Sequence, residues 1–291
     1  MTKVVHESPR AALRRMLAEP EVLVLPGVFD ALSASLVQRS GFRGAYMTGA
    51  GVSMALIGHP DLGFTTLTEM AGQARRITAV LDRPLVADAD TGFGNPLNVQ
   101  RTVVEYERAG VAALHIEDQA FPKRCGHLEG KTVIAAGEFV EKVRAAVDAR
   151  TDPELVIIAR TDARAPLGYA EAIDRANRYA EAGADVIFVE APQTIDEIAR
   201  IPEDVGAPVM YNWVTGGRSP AVELEQLHEW GYAMAIVPGL LIGTVVRAMI
   251  QALAKAGAPI AMSDDLRSPA ALFDTVGLGE WLAAAERFAT D

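Results

Sequence analysis

The stretch DQAFPKRCGHLEGK, residues 118–131, holds the only cysteine of the chain. Cys125 stands between Lys123 and Arg124 on one side and Gly126 and His127 on the other. A solitary cysteine commonly serves as a small buried hydrophobe. Two cations, a histidine, glycines and a proline around it predict instead a mobile, electropositive loop in which a thiol is reachable and its pKa tunable. A thiol beside Lys123 and His127 can give or take a proton at carbon. ADADTGFGNP places Asp88 and Asp90 two residues apart at the end of an apolar run, so both can point to one side. That pairing suits Mg2+, which takes one or two carboxylates and keeps waters for substrate oxygens to replace; Asp-x-Asp-x-Gly can equally cap a turn. Glu117, two residues after His115, and Asp61 in GHPDLG add further acids. So many acids around one mouth repel one another unless a cation joins them, which favours a metal. Arg160 in RTDAR can clamp a carboxylate with two parallel hydrogen bonds, or pair with Asp162 or Glu190. YMTGAGVS offers Tyr46, Thr48 and the amides of Gly49 and Ala50, a small-residue loop able to cradle an anion. His59 and His228 are assigned to structure or surface, because nothing near them in sequence supplies a partner. The sum is a site for a small anionic oxyacid, with a thiol-bearing lid and chemistry that passes through an enolate.

Such a site needs a scaffold, and the apolar runs supply one. Eight recur, many of them β-branched, each closed by a polar or glycine-rich stop and followed by a helical pattern. They begin near Val22, Arg43, Pro84, Val111, Leu155, Ala184, Ala207 and Tyr232. Continuous apolar strands alternating with helices imply a parallel sheet buried on both faces. Eight such units, with no glycine-rich dinucleotide fingerprint after the first, predict an α/β fold of the (β/α)8 TIM-barrel type over one domain, residues 1–291. Asp30, Thr48, Asp88, Asp90, His115, Glu117, Arg160, Asp162, Glu190 and Asn212 then fall at or just past strand C-terminal ends, where this fold carries its active site. An amphipathic helix is expected from Ser8 or Pro9, one from about Leu240 to Ala256, and a helical extension over about 257–291.

At 291 residues and 50% hydrophobic the chain can bury a full core. A net charge of −11 speaks against nucleic-acid or anionic-membrane partners, which need a basic surface. One cysteine excludes an intramolecular disulfide framework and fits a reducing cytoplasm. No run approaches a membrane span, and the N-terminus lacks the apolar core of a signal peptide.

KRCGH after the fourth strand, ADADTGFG after the third and HIEDQ before the loop together resemble the isocitrate lyase and phosphoenolpyruvate mutase superfamily, over roughly residues 26–249. The resemblance implies a barrel with swapped C-terminal helices in a homotetramer, Mg2+ or Mn2+, and either C–C cleavage of 2-hydroxyacids or P–C chemistry. By position, it implies that Thr48, Gly49 and Ala50 bind the substrate carboxylate, that Asp88 is the direct metal ligand, and that Asp61, Asp90 and Glu117 reach the metal through water. It makes Cys125 the proton donor to the leaving enolate, with Lys123, Gly126 and His127 as lid companions and Arg160, Glu190 and Asn212 lining the pocket. Cys-Gly-His in the lid favours a lyase over the phosphonate branch, which typically has Asn-Ser there. Arg247 falls later after the eighth strand than the corresponding arginine of methylisocitrate lyases, so Leu240, Leu241 and Ile242 are expected to face the space of a third carboxylate. GHLEGK in the lid points the same way, toward the 2,3-dimethylmalate lyase and petal-death branch and a dicarboxylate substrate. Rival readings are methylisocitrate lyase, oxaloacetate hydrolase or decarboxylase, and a carboxyvinyl-carboxyphosphonate type of phosphonomutase.

Overall fold

A computed structural model of the chain describes residues 7–258 and 266–288. Among these, eight strands form a closed barrel in sequence order: β1 (Leu23–Val28), β2 (Ala45–Met47), β3 (Leu85–Asp88), β4 (Ala113–Glu117), β5 (Val156–Thr161), β6 (Val186–Val189), β7 (Val209–Asn212) and β8 (Met234–Val237). All pairings are parallel, and β1 closes on β8. The eight apolar runs are these strands. From β2 onward each is shorter than the apolar run that marks it, because the run continues into the turn over the rim.

Parity within the strands sorts the core into two layers. Val86, Ala113, Val156, Ile158, Val186, Phe188, Met210, Met234 and Ile236 pack together inside the barrel, while Ala87, Leu114, Ile157, Ala159 and Ile187 pack outward against the helices. The helix Pro9–Leu17 starts as expected, with the Ser8 hydroxyl accepting the Ala11 N–H at 3.1 Å. Its Leu13 and Met16 join the inner layer beside Leu23 and Leu25, closing the N-terminal end of the barrel. Arg10 fixes that helix by donating to the Val111 and Glu107 carbonyls at 3.0 and 2.6 Å.

After β8 come the helices Leu240–Lys255, Pro269–Asp274 and Leu278–Arg287. Residues 259–265 and 289–291 of the expected helical extension lie outside the described residues. Asp30 lies just past the end of β1 as expected, where it is the N-cap of the helix Ala31–Ser40 and accepts the Ser33 N–H at 2.7 Å.

Candidate active site

The inward parity of each strand continues past its apolar residues into a polar layer. Val86 is followed by Asp88, Ala113 by His115 and Glu117, Ile158 by Arg160, Phe188 by Glu190 and Met210 by Asn212. Register sets the neighbours: Asp88 pairs with His115, and Glu117 pairs with Arg160. The barrel interior cannot dissolve charges, so each must meet a partner there.

Asp88 is surrounded by donors. Its Oδ1 accepts the Asp90 amide at 2.9 Å, and its Oδ2 accepts the Gly49 amide at 3.2 Å and the Tyr46 hydroxyl at 3.4 Å. Burial alone would raise its pKa, but His115, Lys123, Arg160 and the Asp90 amide outweigh that and hold it below the usual carboxylate value. Gly49 has no room for a side chain, since a Cβ would lie 2.4 Å from Asp88 Oδ2. Its amide, expected to bind substrate, is thus spent on Asp88, and the Gly51 amide is spent on the Thr48 hydroxyl at 3.2 Å. Thr48 and Ala50 do line the site. Tyr46 also meets His115 Nε2 at 2.8 Å. Burial, assisted by Arg160 and Lys123, lowers His115 to about 4, so its ring is neutral at pH 7.

Several of these acids are paired with cations of the protein itself, so their crowding alone does not argue for a metal. Lys123 Nζ lies 2.5 Å from Asp61 Oδ1 and 2.7 Å from Asp90 Oδ1. Arg160 lies between three acids. Its Nε and Nη2 donate to Asp162 at 2.8 and 3.1 Å, its Nε is 3.2 Å from Glu117 Oε2, and its Nη2 is 3.9 Å from Glu190 Oε1. Of the two roles open to Arg160, pairing with Asp162 is the one realised, and its guanidinium stacks 5.0 Å from the Phe188 ring. Asp90 is raised to about 6 by burial, with Asp88 and Asp61 adding to it against Lys123. Burial likewise pushes Glu117 far up against the pull of Arg160. Glu117 Oε1 is buried with no hydrogen-bond partner. Among the described residues no three His, Cys, Asp or Glu side chains converge closely enough to hold a metal without other ligands.

The lid seats directly on this layer. Gly126 packs so closely that a Cβ would lie 2.1 Å from Glu190 Oε1 and 2.4 Å from Arg160 Nη2. His127 Nδ1 accepts the Arg218 amide at 3.1 Å, so its proton sits on Nε2, 3.2 Å from Glu190 Oε1. Asn212 Nδ2 also donates to Glu190, at 3.1 Å. The Cys125 amide donates to the Asp61 carbonyl at 3.2 Å. The thiol is half-buried and not in an electropositive setting: burial and the Asp61 carboxylate push it up to about 12. Lys123 is turned to its acids, and Arg124 Nη1 reaches the Glu129 carbonyl at 3.2 Å.

Tyr46, Thr48, Ala50, Asp61, Asp88, Lys123, Cys125, Gly126, His127, Arg160, Glu190 and Asn212 surround one cavity of about 670 Å³. Asp90 instead faces a second, smaller hollow behind Lys123. Leu240 and Ile242 line the main cavity as expected, but Leu241 packs against the core. Arg247, expected to be carried away along its helix, lies on the cavity wall, one turn beyond Gly243, with a hydrogen bond to Thr244 at 3.3 Å. His228 is exposed; His59 is half-buried and has partners, stacking edge-on to Phe64 and Trp281. The sequence places both Tyr46 and His115 near the site but does not foretell their pairing, nor Lys131, whose ammonium reaches Asp162 at 2.7 Å. Inward parity with Glu117 was the available signal for His115.

The sequence pattern of the phosphoenolpyruvate phosphomutase family matches residues 13–257. The chain belongs to the PEP mutase/isocitrate lyase superfamily. Among its relatives, 2,3-dimethylmalate lyase of Eubacterium barkeri is 45% identical over 82% of this chain and 83% of its own. The 2-methylisocitrate lyase of Aeropyrum pernix is 39% identical over 94% of this chain and 89% of its own. A crystal structure of 2,3-dimethylmalate lyase superposes with a TM-score of 0.83 at 38% identity, covering 97% of this chain and 96% of that one. Superfamily membership agrees with the fold and with the motifs that first pointed to it. No described helix is long and apolar enough to cross a membrane.

Proposed function

We propose that the protein is a Mg2+-dependent carbon–carbon lyase that cleaves a 2-hydroxy dicarboxylate of the 2,3-dimethylmalate or alkylmalate type into a 2-oxoacid and a carboxylate. The observation that carries this reading is the seated lid, which brings Cys125, Gly126 and His127 into one cavity with Asp88, Arg160, Glu190 and Asn212. Similarity to 2,3-dimethylmalate lyase supports the substrate class.

The residues fit the metal. Once Lys123 has taken Asp61 and Asp90, Asp88 and the partnerless Oε1 of Glu117 remain as hard oxygen donors, and Mg2+ needs only one or two carboxylates beside its waters. Asp88 would hold it directly and Glu117, Asp61 and Asp90 through water, with Mn2+ able to substitute. When bound, the ion supplies positive charge against the oxyanion that develops at the C2 oxygen. The chain does the rest. Thr48 and Ala50 border the substrate carboxylate, Arg160 is a fixed cation in the same cavity, and the lid keeps water out. As the C2 hydroxyl loses its proton and C2 becomes a carbonyl, the C2–C3 bond breaks and its electron pair passes to the leaving carboxylate as an enolate. The Cys125 S–H gives C3 its proton. Burial and Asp61 keep that thiol protonated at neutral pH, the form a donor needs.

Arg247 on the cavity wall favours a second reading, in which a tricarboxylate such as 2-methylisocitrate is the substrate and Arg247 holds its third carboxylate. Exposed apolar residues on the last helices, Met249, Leu253 and Phe288, support assembly as a homotetramer with those helices packed on a neighbour. The single cysteine supports a cytoplasmic setting.

Steady-state kinetics on 2,3-dimethylmalate, 2-methylisocitrate, oxaloacetate and phosphonopyruvate tests the proposal. The highest kcat/KM is expected for 2,3-dimethylmalate, with activity lost in chelator and in Asp88→Ala. A higher kcat/KM for 2-methylisocitrate selects the second reading. Turnover of phosphonopyruvate alone, or full activity in chelator, refutes both.

A further inference from the structure

We propose that Lys131 is a positioning residue, a latch whose one ammonium group both pins the closed lid and braces Arg160. Lys131 ends the GHLEGK segment and is buried, 7% exposed. Its Nζ has two acceptors on two different parts of the fold: the Gly126 carbonyl at 2.5 Å, in the lid, and Asp162 Oδ1 at 2.7 Å, just past β5. Asp162 is fully buried and is also the bidentate partner of Arg160.

The reason for such a latch lies in Gly126. This residue is pressed against Glu190 and Arg160, where any side chain would collide, so it has no side chain with which to anchor itself. Its carbonyl is the remaining handle. Other ties hold its flanks: Lys123 binds Asp61 and Asp90, the Gln119 side chain binds the Arg124 amide and carbonyl, the Cys125 amide donates to the Asp61 carbonyl, and His127 binds Glu190 and the Arg218 amide. Lys131 supplies the hydrogen bond to the Gly126 carbonyl, between those flanks. When the lid lifts, the ammonium keeps only Asp162 and becomes a buried charge short of an acceptor, which is costly; closing restores the second bond. The same ammonium shares Asp162 with Arg160, so lid position and guanidinium position are tied through one carboxylate.

Because Cys125 is the only thiol in the chain, its alkylation by N-ethylmaleimide at a fixed pH reads the lid directly. Lys131→Met keeps the apolar stem and removes the charge; Lys131→Gln keeps a donor and guards against collapse of the buried site. Labelling is expected to run about tenfold or more faster in the methionine variant than in wild type, and less so in the glutamine variant, since local opening governs access. Turnover of 2,3-dimethylmalate by Lys131→Met should fall in kcat by about tenfold or more with a smaller change in KM, as befits a group that orients the site without touching substrate. The kinetic arm rests on the lyase reading; the labelling arm does not, so their failures are distinguishable. Labelling at the wild-type rate in a folded Lys131→Met protein overturns the latch. So does global unfolding of both variants at 25 °C, which would make Lys131 a structural residue.

Discussion

The Cys125 thiol holds its proton up to about 12 because burial and the Asp61 carboxylate both oppose a thiolate. From the order of residues alone its surroundings looked cationic, since Lys123 and Arg124 precede it. Neighbours in the chain are not neighbours in space: Lys123 is spent on Asp61 and Asp90, and what the thiol meets is a carboxylate. Its alkylation by iodoacetamide is therefore expected to climb about tenfold per pH unit from pH 7 to pH 10 without levelling, because only the thiolate reacts. A plateau near pH 9 would place the thiol in an ordinary setting. Cys125→Ser should fold as wild type and lose about 10² to 10⁴ in kcat, the usual worth of a positioned proton donor. If the serine variant melts well below wild type yet keeps its turnover, the cysteine is a core residue and nothing more.

The strands were legible because each is a short apolar run with a marked stop, and the polar layer was legible because period-two parity carries it inward from residues such as Val86 and Phe188. The pairing between cations and acids was not. Whether Arg160 turns to substrate or to Asp162 depends on β4–β5 register and on a third element, the lid, none of which leaves a local mark in sequence. The helix that follows β8 misled for a related reason. Rise along Leu240–Lys255 says how far Arg247 lies from β8, but the angular position decides what it faces, and one helical turn from Gly243 returns it to the cavity while Leu241 turns to the core. Backbone proximity also has consequences at the short helix Gly49–Val52. A methyl group at Gly49 would displace the Asp88 carboxylate, so Gly49→Ala is expected to weaken Mg2+ binding, measured by titration calorimetry, by about 10- to 100-fold, in the range seen when a ligand's supporting contacts are lost. Unchanged metal affinity in that variant would show that Asp88 is not the ligand.

Across the whole molecule the two barrel ends divide the labour. The mouth holds the charged layer, and the opposite end is filled by Leu13 and Met16 of the helix Pro9–Leu17. Leu13 is fully buried, so Leu13→Ala should cost about 2–5 kcal/mol in denaturant unfolding through the cavity it leaves. Its kcat/KM should stay at wild type, since none of the site residues is touched; a matching loss of activity would mean that the plug sets the shape of the mouth. Closure of the sheet itself joins distant parts of the chain, with Leu23 to Pro26 hydrogen-bonded beside Met234 to Val237. During synthesis β1 emerges early and waits for its second neighbour until nearly the whole barrel has been made. Until then its edge, and that of the latest strand added, lie open to pairing with other chains. A fragment that stops before Met234 carries both edges permanently, and is expected to aggregate rather than settle into a smaller barrel.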